Sequence, residues 1–252
     1  YMKSINAHSI KRSGVILSSQ ESKTRNRIFI IISALISIAL SIAFVSEVWY
    51  DFLIFINRTP FNLKDPIFNY DIGFYIFTLP FLSKLYGFLI GIVILFAIIT
   101  LIFNAVLLIT PKQHDVGIEE GFNVRRMKTV SYKDLLGAAW KQLSILGGIF
   151  FMLLALGFYI RSFDLLYSNR GVAFGASYTD IHVSLPFYYA YIALSIITAV
   201  SFMISYKGRK LKLAVFGPLL LVAAILLSGI VSTSVQNLIV TPNESAKEEK
   251  YI

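Results

Sequence analysis

The chain has 252 residues, of which 56% are hydrophobic and only 15% charged, with a formal net charge of +9 and no cysteine. That composition lies well to the apolar side of soluble domains and excludes a water-soluble fold; the missing cysteine excludes disulfides, thiolate metal sites and cysteine nucleophiles. The positive charge points to membrane topology and not to nucleic acid, because the basic residues gather in the connections between apolar runs.

Five runs carry no Asp, Glu, Lys or Arg: Ile28 to Ser46, Leu85 to Pro111, Gln142 to Ile160, Ile181 to Tyr206 and Leu213 to Asn243. At 1.5 Å of rise per helical residue the shortest covers about 28 Å, against a hydrocarbon core of about 30 Å. The expected fold is all-α, a polytopic transmembrane bundle of five spanning helices with an aromatic-rich external interfacial segment. The expected division is a cytoplasmic N-terminal segment (1–27), a transmembrane domain (28–235) and the truncated start of an extracytoplasmic region (236–252). The spans fall at about 28–48, 85–110, 141–160, 186–206 and 213–235.

Residues 1–27 lack the apolar stretch of a signal peptide and open on Tyr1, which suggests a fragment or a trimmed start. Ser18 and Glu21 have the S-x-x-E spacing of a capping box, so a helix is expected from there through the first span to about Ile56, past the interfacial pair Trp49 and Tyr50. Residues 57–83 are rich in Phe and Tyr and broken by Pro60, Pro66 and Pro80. They read either as an interfacial belt or as a re-entrant, lid-like element over a cavity.

Small residues recur at helical spacing: Ser33, Ser37 and Ser41 in the first span, Gly87 and Gly91 in the second, Ser201 and Ser205 in the fourth. Close helix packing is their expected role, and Asn104 is expected to hydrogen-bond between helices. Ser131 to Trp140 reads as a helical entrance to span three, headed by S-x-x-D. Spans four and five are joined by so few residues that they must be antiparallel neighbours, with Pro218 tolerated in the first turns of span five or kinking it mildly.

Six basic residues precede span one, six more lie from Lys112 to Lys141, and four lie in the run Lys207 to Lys212. These segments are expected to face the cytoplasm, which puts the N-terminus inside and the C-terminus outside. Lys207, Arg209, Lys210 and Lys212 are also candidates for contact with anionic lipids.

No acidic or basic residue falls near the middle of any span, which removes the usual signature of an ion-coupled carrier. The loop before span four places Tyr178, Asp180 and His182 together, a candidate external functional loop. Its bland reading is a glycine-rich turn capped at a helix start; two ligands from an Asp-x-His do not make a metal site. No nucleophile motif or phosphate loop is present, so neither catalysis nor a metal or other cofactor is expected. Glu47, Lys84 and Arg161 fall at one depth at the outer boundary and form a candidate charge clamp, since dehydrated charges there favour pairing.

Three stretches are similar to one family: DPIFNYDIGFYIFTLPF (65–81), GASYTDIHVSLP (175–186), and VQNLIVTPNE with KEEKYI (235–252). They resemble the bacterial UPF0182 membrane proteins. The resemblance implies a multi-pass protein of the bacterial plasma membrane that is normally longer, with two further N-terminal spans and a large extracytoplasmic domain after residue 252. It implies no catalytic residues.

The expected function is a non-enzymatic module that anchors and positions that domain in the envelope, its partners being the bilayer and the rest of the same protein. The alternative is a transport or lipid-handling protein that uses a cavity between spans. On the expected topology, single cysteines at Ser13, Thr129 and Gly208 are shielded from an impermeant thiol reagent in intact cells, whereas ones at Asn62, Asn169 and Ser245 are labelled. The reverse labelling pattern would invert the orientation.

Overall fold

The computed structural model describes residues 19–109, 132–171, 174–208 and 211–249. Five long helices cross in alternating directions: α1 (Ser19–Ile56), α2 (Leu79–Ile109), α3 (Tyr132–Ser162), α4 (Leu185–Gly208) and α5 (Leu211–Val235), followed by the one-turn α6 (Glu244–Glu248). All five are long and apolar enough to cross a bilayer. α1, α3 and α4 run past the expected spans at both ends, and α2 and α5 at their starts, because a helix satisfies its own backbone wherever it lies, in hydrocarbon or in headgroups. Ser18, Ser131, the connection 110–131 and the side chains of the run 207–212 lie outside the described residues.

Two ends result. At the basic end α2 runs out, α3 begins and α4 turns into α5. At the aromatic end gather the loop 57–73, the 3-10 turn Phe163–Tyr167, the start of α4 and the segment after α5.

One backbone device recurs three times at the aromatic end. A π turn leads into α2 at Phe74–Thr78, another into α4 at Asp180–Ser184, and a third extends α5 at Gln236–Val240. Each is followed by proline at the same offset: Pro80, Pro186 and Pro242. In each case the residue just before the proline donates its N–H five residues back, Leu79 to Phe74, Leu185 to Asp180 and Thr241 to Gln236. Proline offers no N–H and its ring crowds the carbonyl four residues earlier; one wider turn makes room without leaving that stretch of backbone unbonded.

The tightest packing joins α3, α4 and α5. Gly147 lies so close to α4 that a Cβ would stand 2.5 Å from the Phe202 ring, and one on Gly217 of α5 would stand 2.5 Å from Thr198 Oγ1. Phe151 stacks on Phe202, and Tyr191, Ala199 and Leu221 complete this core. Gly157 admits the Tyr86 ring from α2 in the same way.

The small-residue patterns expected to pack give a mixed result. A Cβ on Gly87 or Gly91 would meet nothing within 4 Å. Ser33, Ser37 and Ser41 are exposed on α1, and the first and last bond carbonyls of their own helix, Ile30 and Ser37. Ser205, by contrast, is fully buried. Asn104 donates to Thr100 O of its own helix at 2.8 Å, so this bond is local and not interhelical. Pro218 sits inside a continuous α5.

α1 is attached along one narrow seam near the aromatic end. Phe44 stacks on Phe88 with ring centroids 3.8 Å apart, Val48 is its only described residue that is fully buried, and Phe52 and Phe55 flank Phe81. The spacing of Phe44, Val48, Phe52 and Phe55 keeps them on one face. Toward the basic end, Arg27, Ile28 and residues 30–43 of α1 are exposed.

Alanine is a better helix former than glycine by about 1 kcal/mol, so Gly87→Ala is expected to leave detergent stability unchanged or slightly raised. Gly217→Ala instead forces a methyl into Thr198, a β-branched side chain 1% exposed, and is expected to destabilise by about 1 to 3 kcal/mol. Thermal melts in detergent measure both; equal effects would contradict the packing described.

Candidate functional site

The aromatic end holds a polar cluster built from the loop after α3, the start of α4, one face of α5 and α6. Its first member is Ser177, which caps the helix beginning at Tyr178. Asp180 N donates to Ser177 Oγ at 3.3 Å, and Ser177 N donates to Asp180 Oδ2 at 3.2 Å. This is a reciprocal capping box with Asp in place of Glu, and it satisfies one otherwise orphaned helix N–H. It places Asp180 in the interior, 2% exposed.

A carboxylate there needs partners, because an unpaired buried charge is costly. Ser177 Oγ donates to Oδ2 at 2.8 Å, and the half-exposed Arg170 guanidinium stands 3.6 Å from Oδ1. Arg170 also donates to Ser232 Oγ of α5. Two further pairs bind the same two helices: Thr179 Oγ1 donates to Gln236 Oε1 at 2.6 Å, and Tyr191 Oη donates to Ser228 Oγ. Ser228, Ser232 and Gln236 recur every four residues, which gives α5 one polar stripe facing α4 and its leading loop.

Glu248 closes the cluster. It is 3% exposed, and its Oε1 accepts the backbone N–H of Tyr178 at 3.3 Å. Tyr178 opens the helix that leads into α4, so the carboxylate meets an orphaned donor at the positive end of the helix dipole. Gly171 leaves the necessary room, since a Cβ there would stand 3.0 Å from Glu248 Oε2. Next to it Lys247 Nζ lies 4.9 Å from the centre of the Tyr178 ring, which itself stacks on His182 at 4.2 Å. His182 Nδ1 is 3.1 Å from Tyr178 O.

Of the loop residues singled out from sequence, the half-buried Tyr178 and the exposed His182 thus form a stack with Lys247 over the tyrosine ring, and Asp180 is buried nearby with its acceptor sites occupied. Sequence reasoning did not single out Arg170, Ser177, Ser232, Gln236 or Glu248. Among the described residues no three His, Asp or Glu side chains converge as metal ligands.

Within the aromatic segment expected at 57–83, residues 57–73 have a defined fold. They form a knot around two carboxylates: Asp65 accepts the N–H groups of Ile67 and Phe68 and the Tyr75 hydroxyl, while Asp71 accepts those of Phe61 and Gly73. Asn62 and Asn69 supply the positive φ values of 57° and 61° that its turns need. Phe68, Tyr70, Phe74, Tyr75 and Tyr159 then pack around Phe163, mostly edge to face.

In the proposed charge clamp, Lys84 Nζ stands 3.7 Å from Glu47 Oε1, but its shorter contact is Asp51 Oδ2 at 2.6 Å. It also donates to Glu47 O at 3.1 Å. Arg161 makes no ion pair with Glu47 among the described residues. One helical turn brings Asp51 under Lys84, and Arg161 belongs to the next helix interface.

Five bilayer-length apolar helices and a polar end-cluster that ties their loops together define a polytopic all-α bundle of the kind membrane proteins build. Within that class the chain belongs to UPF0182, described as an uncharacterised protein family, whose model matches residues 3–252. It is similar to a UPF0182 protein of Alkaliphilus metalliredigens, 39% identical over 232 residues that make up 91% of this chain and 24% of that relative. UPF0182 proteins of Clostridium tetani and Clostridium kluyveri are each 36% identical over 92% and 100% of this chain, respectively 26% and 28% of their own lengths. The chain therefore spans about a quarter of the length of these curated relatives. No solved structure matches it.

Outside the helices, the Asp71 carboxyl is held below its ordinary value of 3.8, chiefly by the Phe61 N–H and also by that of Gly73. A lowered carboxylate pKa stabilises the fold above the ordinary value and ceases to do so as pH falls through the folded one. The amides of Phe61 and Gly73 are accordingly expected to stay protected at neutral pH and to lose protection below about pH 4, relative to amides in α4. Hydrogen exchange across that range measures it, and in Asp71→Asn the step should vanish.

Proposed function

We propose that this chain is the membrane base of a longer bacterial envelope protein, and that its work is mechanical: to hold the segment leaving α5 in a fixed pose at the bilayer surface. The reading is non-enzymatic. It puts the basic end in the cytoplasm and the aromatic end outside, in keeping with where Lys and Arg lie along the sequence.

The observation that carries the proposal is the seating of Glu248. A chain that merely left the membrane would need no buried carboxylate in the one-turn helix beyond its last span. Here the π turn Gln236–Val240, the 3-10 turn Thr241–Asn243 and α6 leave no flexible stretch between α5 and Glu248. The carboxylate and Gln236 tie that path to the head of α4, a different helix. The small share of each relative that the chain covers agrees with a base for something larger. Transport of a polar solute is less well supported, because two cavities among the described residues, one beside Tyr159 and one beside Phe150, are lined almost wholly by apolar side chains.

Spin labels on cysteines at Leu227 and Ser245 of the full-length protein are expected to give a narrow distance distribution. Glu248→Ala leaves the Tyr178 N–H without its acceptor, at about 1 to 3 kcal/mol, and should broaden it. A distribution already broad before that substitution would overturn the proposal.

A further inference from the structure

Where α3 reaches the aromatic end it carries two opposite charges that pair with nothing among the described residues. Arg161 follows directly on the charge-free run that ends at Ile160, and Asp164 comes three residues later, in the 3-10 turn. Across that junction they are neighbours on one face. Both are exposed, yet the ion pairs among the described residues are those of Lys84 and Arg170. A charge at this depth is costly unless it is met by an opposite one or reaches the headgroups.

Two tyrosines flank them from the neighbouring helices. Gly157 lies one turn before Arg161 on the same face, and a Cβ there would run into the Tyr86 hydroxyl, so the α2 tyrosine reaches across to α3 and sets its oxygen on that face. From the other side Tyr191 of α4 meets Phe158 with ring centroids 5.2 Å apart. α4 runs antiparallel to α3, so Tyr188, three residues nearer the aromatic end, stands level with Arg161. The Arg161 charge reaches both hydroxyls, and that of Asp164 reaches Tyr188. Neither hydroxyl is sealed in: the enclosed side-chain polar atoms without a partner are Trp140 Nε1, Ser144 Oγ and Ser195 Oγ.

We infer that this notch holds the headgroup of one phosphatidylethanolamine molecule: its phosphate accepts from the Arg161 guanidinium and the Tyr86 and Tyr188 hydroxyls, and its primary ammonium donates to the Asp164 carboxylate. Charge fixes the occupant at both ends. The notch offers donors on one side and an acceptor on the other, and the ethanolamine headgroup carries the opposite charges two carbons apart. Phosphatidylglycerol supplies the phosphate but sets no cation against Asp164, and the quaternary ammonium of phosphatidylcholine has no N–H to donate. The site uses neither Asp180 nor Glu248 and does not depend on the anchoring role.

The test loads the full-length protein in detergent with equal amounts of phosphatidylethanolamine, phosphatidylglycerol and phosphatidylcholine of one acyl composition, and quantifies by mass spectrometry the lipid retained after gel filtration. Phosphatidylethanolamine is expected to be retained about five-fold over either of the others, the scale of one exposed ion pair. Asp164→Asn removes the ammonium's partner and should bring phosphatidylethanolamine and phosphatidylglycerol to equal retention. Arg161→Gln should lower both alike, with folding followed by thermal melts. Should a charge variant fail to fold, Tyr86→Phe combined with Tyr188→Phe removes two phosphate donors without changing charge and should still lower phosphatidylethanolamine retention; unchanged retention there overturns the site. Equal retention of all three lipids would mean ordinary boundary contact, and a preference for phosphatidylglycerol would mean that Arg161 acts alone; either result overturns the site. Retention of none would mean that another segment of the protein covers the notch and overturns it equally, as does a preference that survives in folded Asp164→Asn.

Discussion

Asp180 is the charge around which the aromatic end is organised. Its carboxylate accepts the N–H of Ser177, the residue that caps the helix beginning at Tyr178, and the Arg170 guanidinium drawn to it brings in the loop from α3 and reaches Ser232 on α5. The pair contributes little net stability by itself, because Arg170 is half-exposed and the desolvation of the buried carboxylate offsets most of the attraction, yet removing Arg170 strands a buried charge. Its effect is therefore on arrangement: three helices that pack through glycine contacts in the membrane acquire one fixed relation where they leave it. The seating of Glu248 depends on that relation, because its acceptor oxygen meets the first N–H of the helix that Ser177 caps.

Lipid as solvent explains where the polar interactions are found. Within the spans association rests on close contact, at Gly147, Gly157 and Gly217, with hydroxyls such as those of Thr100, Thr198 and Ser201 bonded to carbonyls of their own helices. At the aromatic end ion pairs and side-chain pairs join the elements, in the Lys84 contacts, the Asp65 knot and the Arg170 cluster. α1 follows the same division, being held by a short aromatic seam and by Lys84.

The helices were legible in the sequence because a charge-free run of bilayer length suits little besides a spanning helix, and α1 does run to Ile56 past Trp49 and Tyr50. Which small residues pack was not legible. Spacing states that Gly87 and Gly91 share a face of α2, whereas whether a neighbour meets that face depends on the whole bundle. Asp180 could be found from its place before span four, but Glu248 could not, since the N–H it accepts lies 70 residues away. The stretches that carry the family resemblance held the better clue: they contain Asp65, Asp71, Ser177, Asp180, Gln236 and Glu248, and all three fold to one end. A second overlooked signal was local, the recurrence of a proline near the helix ends in FYIFTLP, DIHVSLP and QNLIVTP.

Those three prolines also bear on direction. Each residue added to a helix rotates the remainder of the chain by about 100°, and a π turn holds one residue more than the α turn it replaces. The side chains beyond it are aimed a little over a quarter turn away from where an unbroken helix would send them. For α5 the segment affected is the one that ends in Glu248, so the azimuth at which the chain leaves the bundle is written into five residues, Gln236 to Val240. Loss of a single residue there would keep the helix, its length and its apolarity almost intact and would swing the exit to a different side of the bundle.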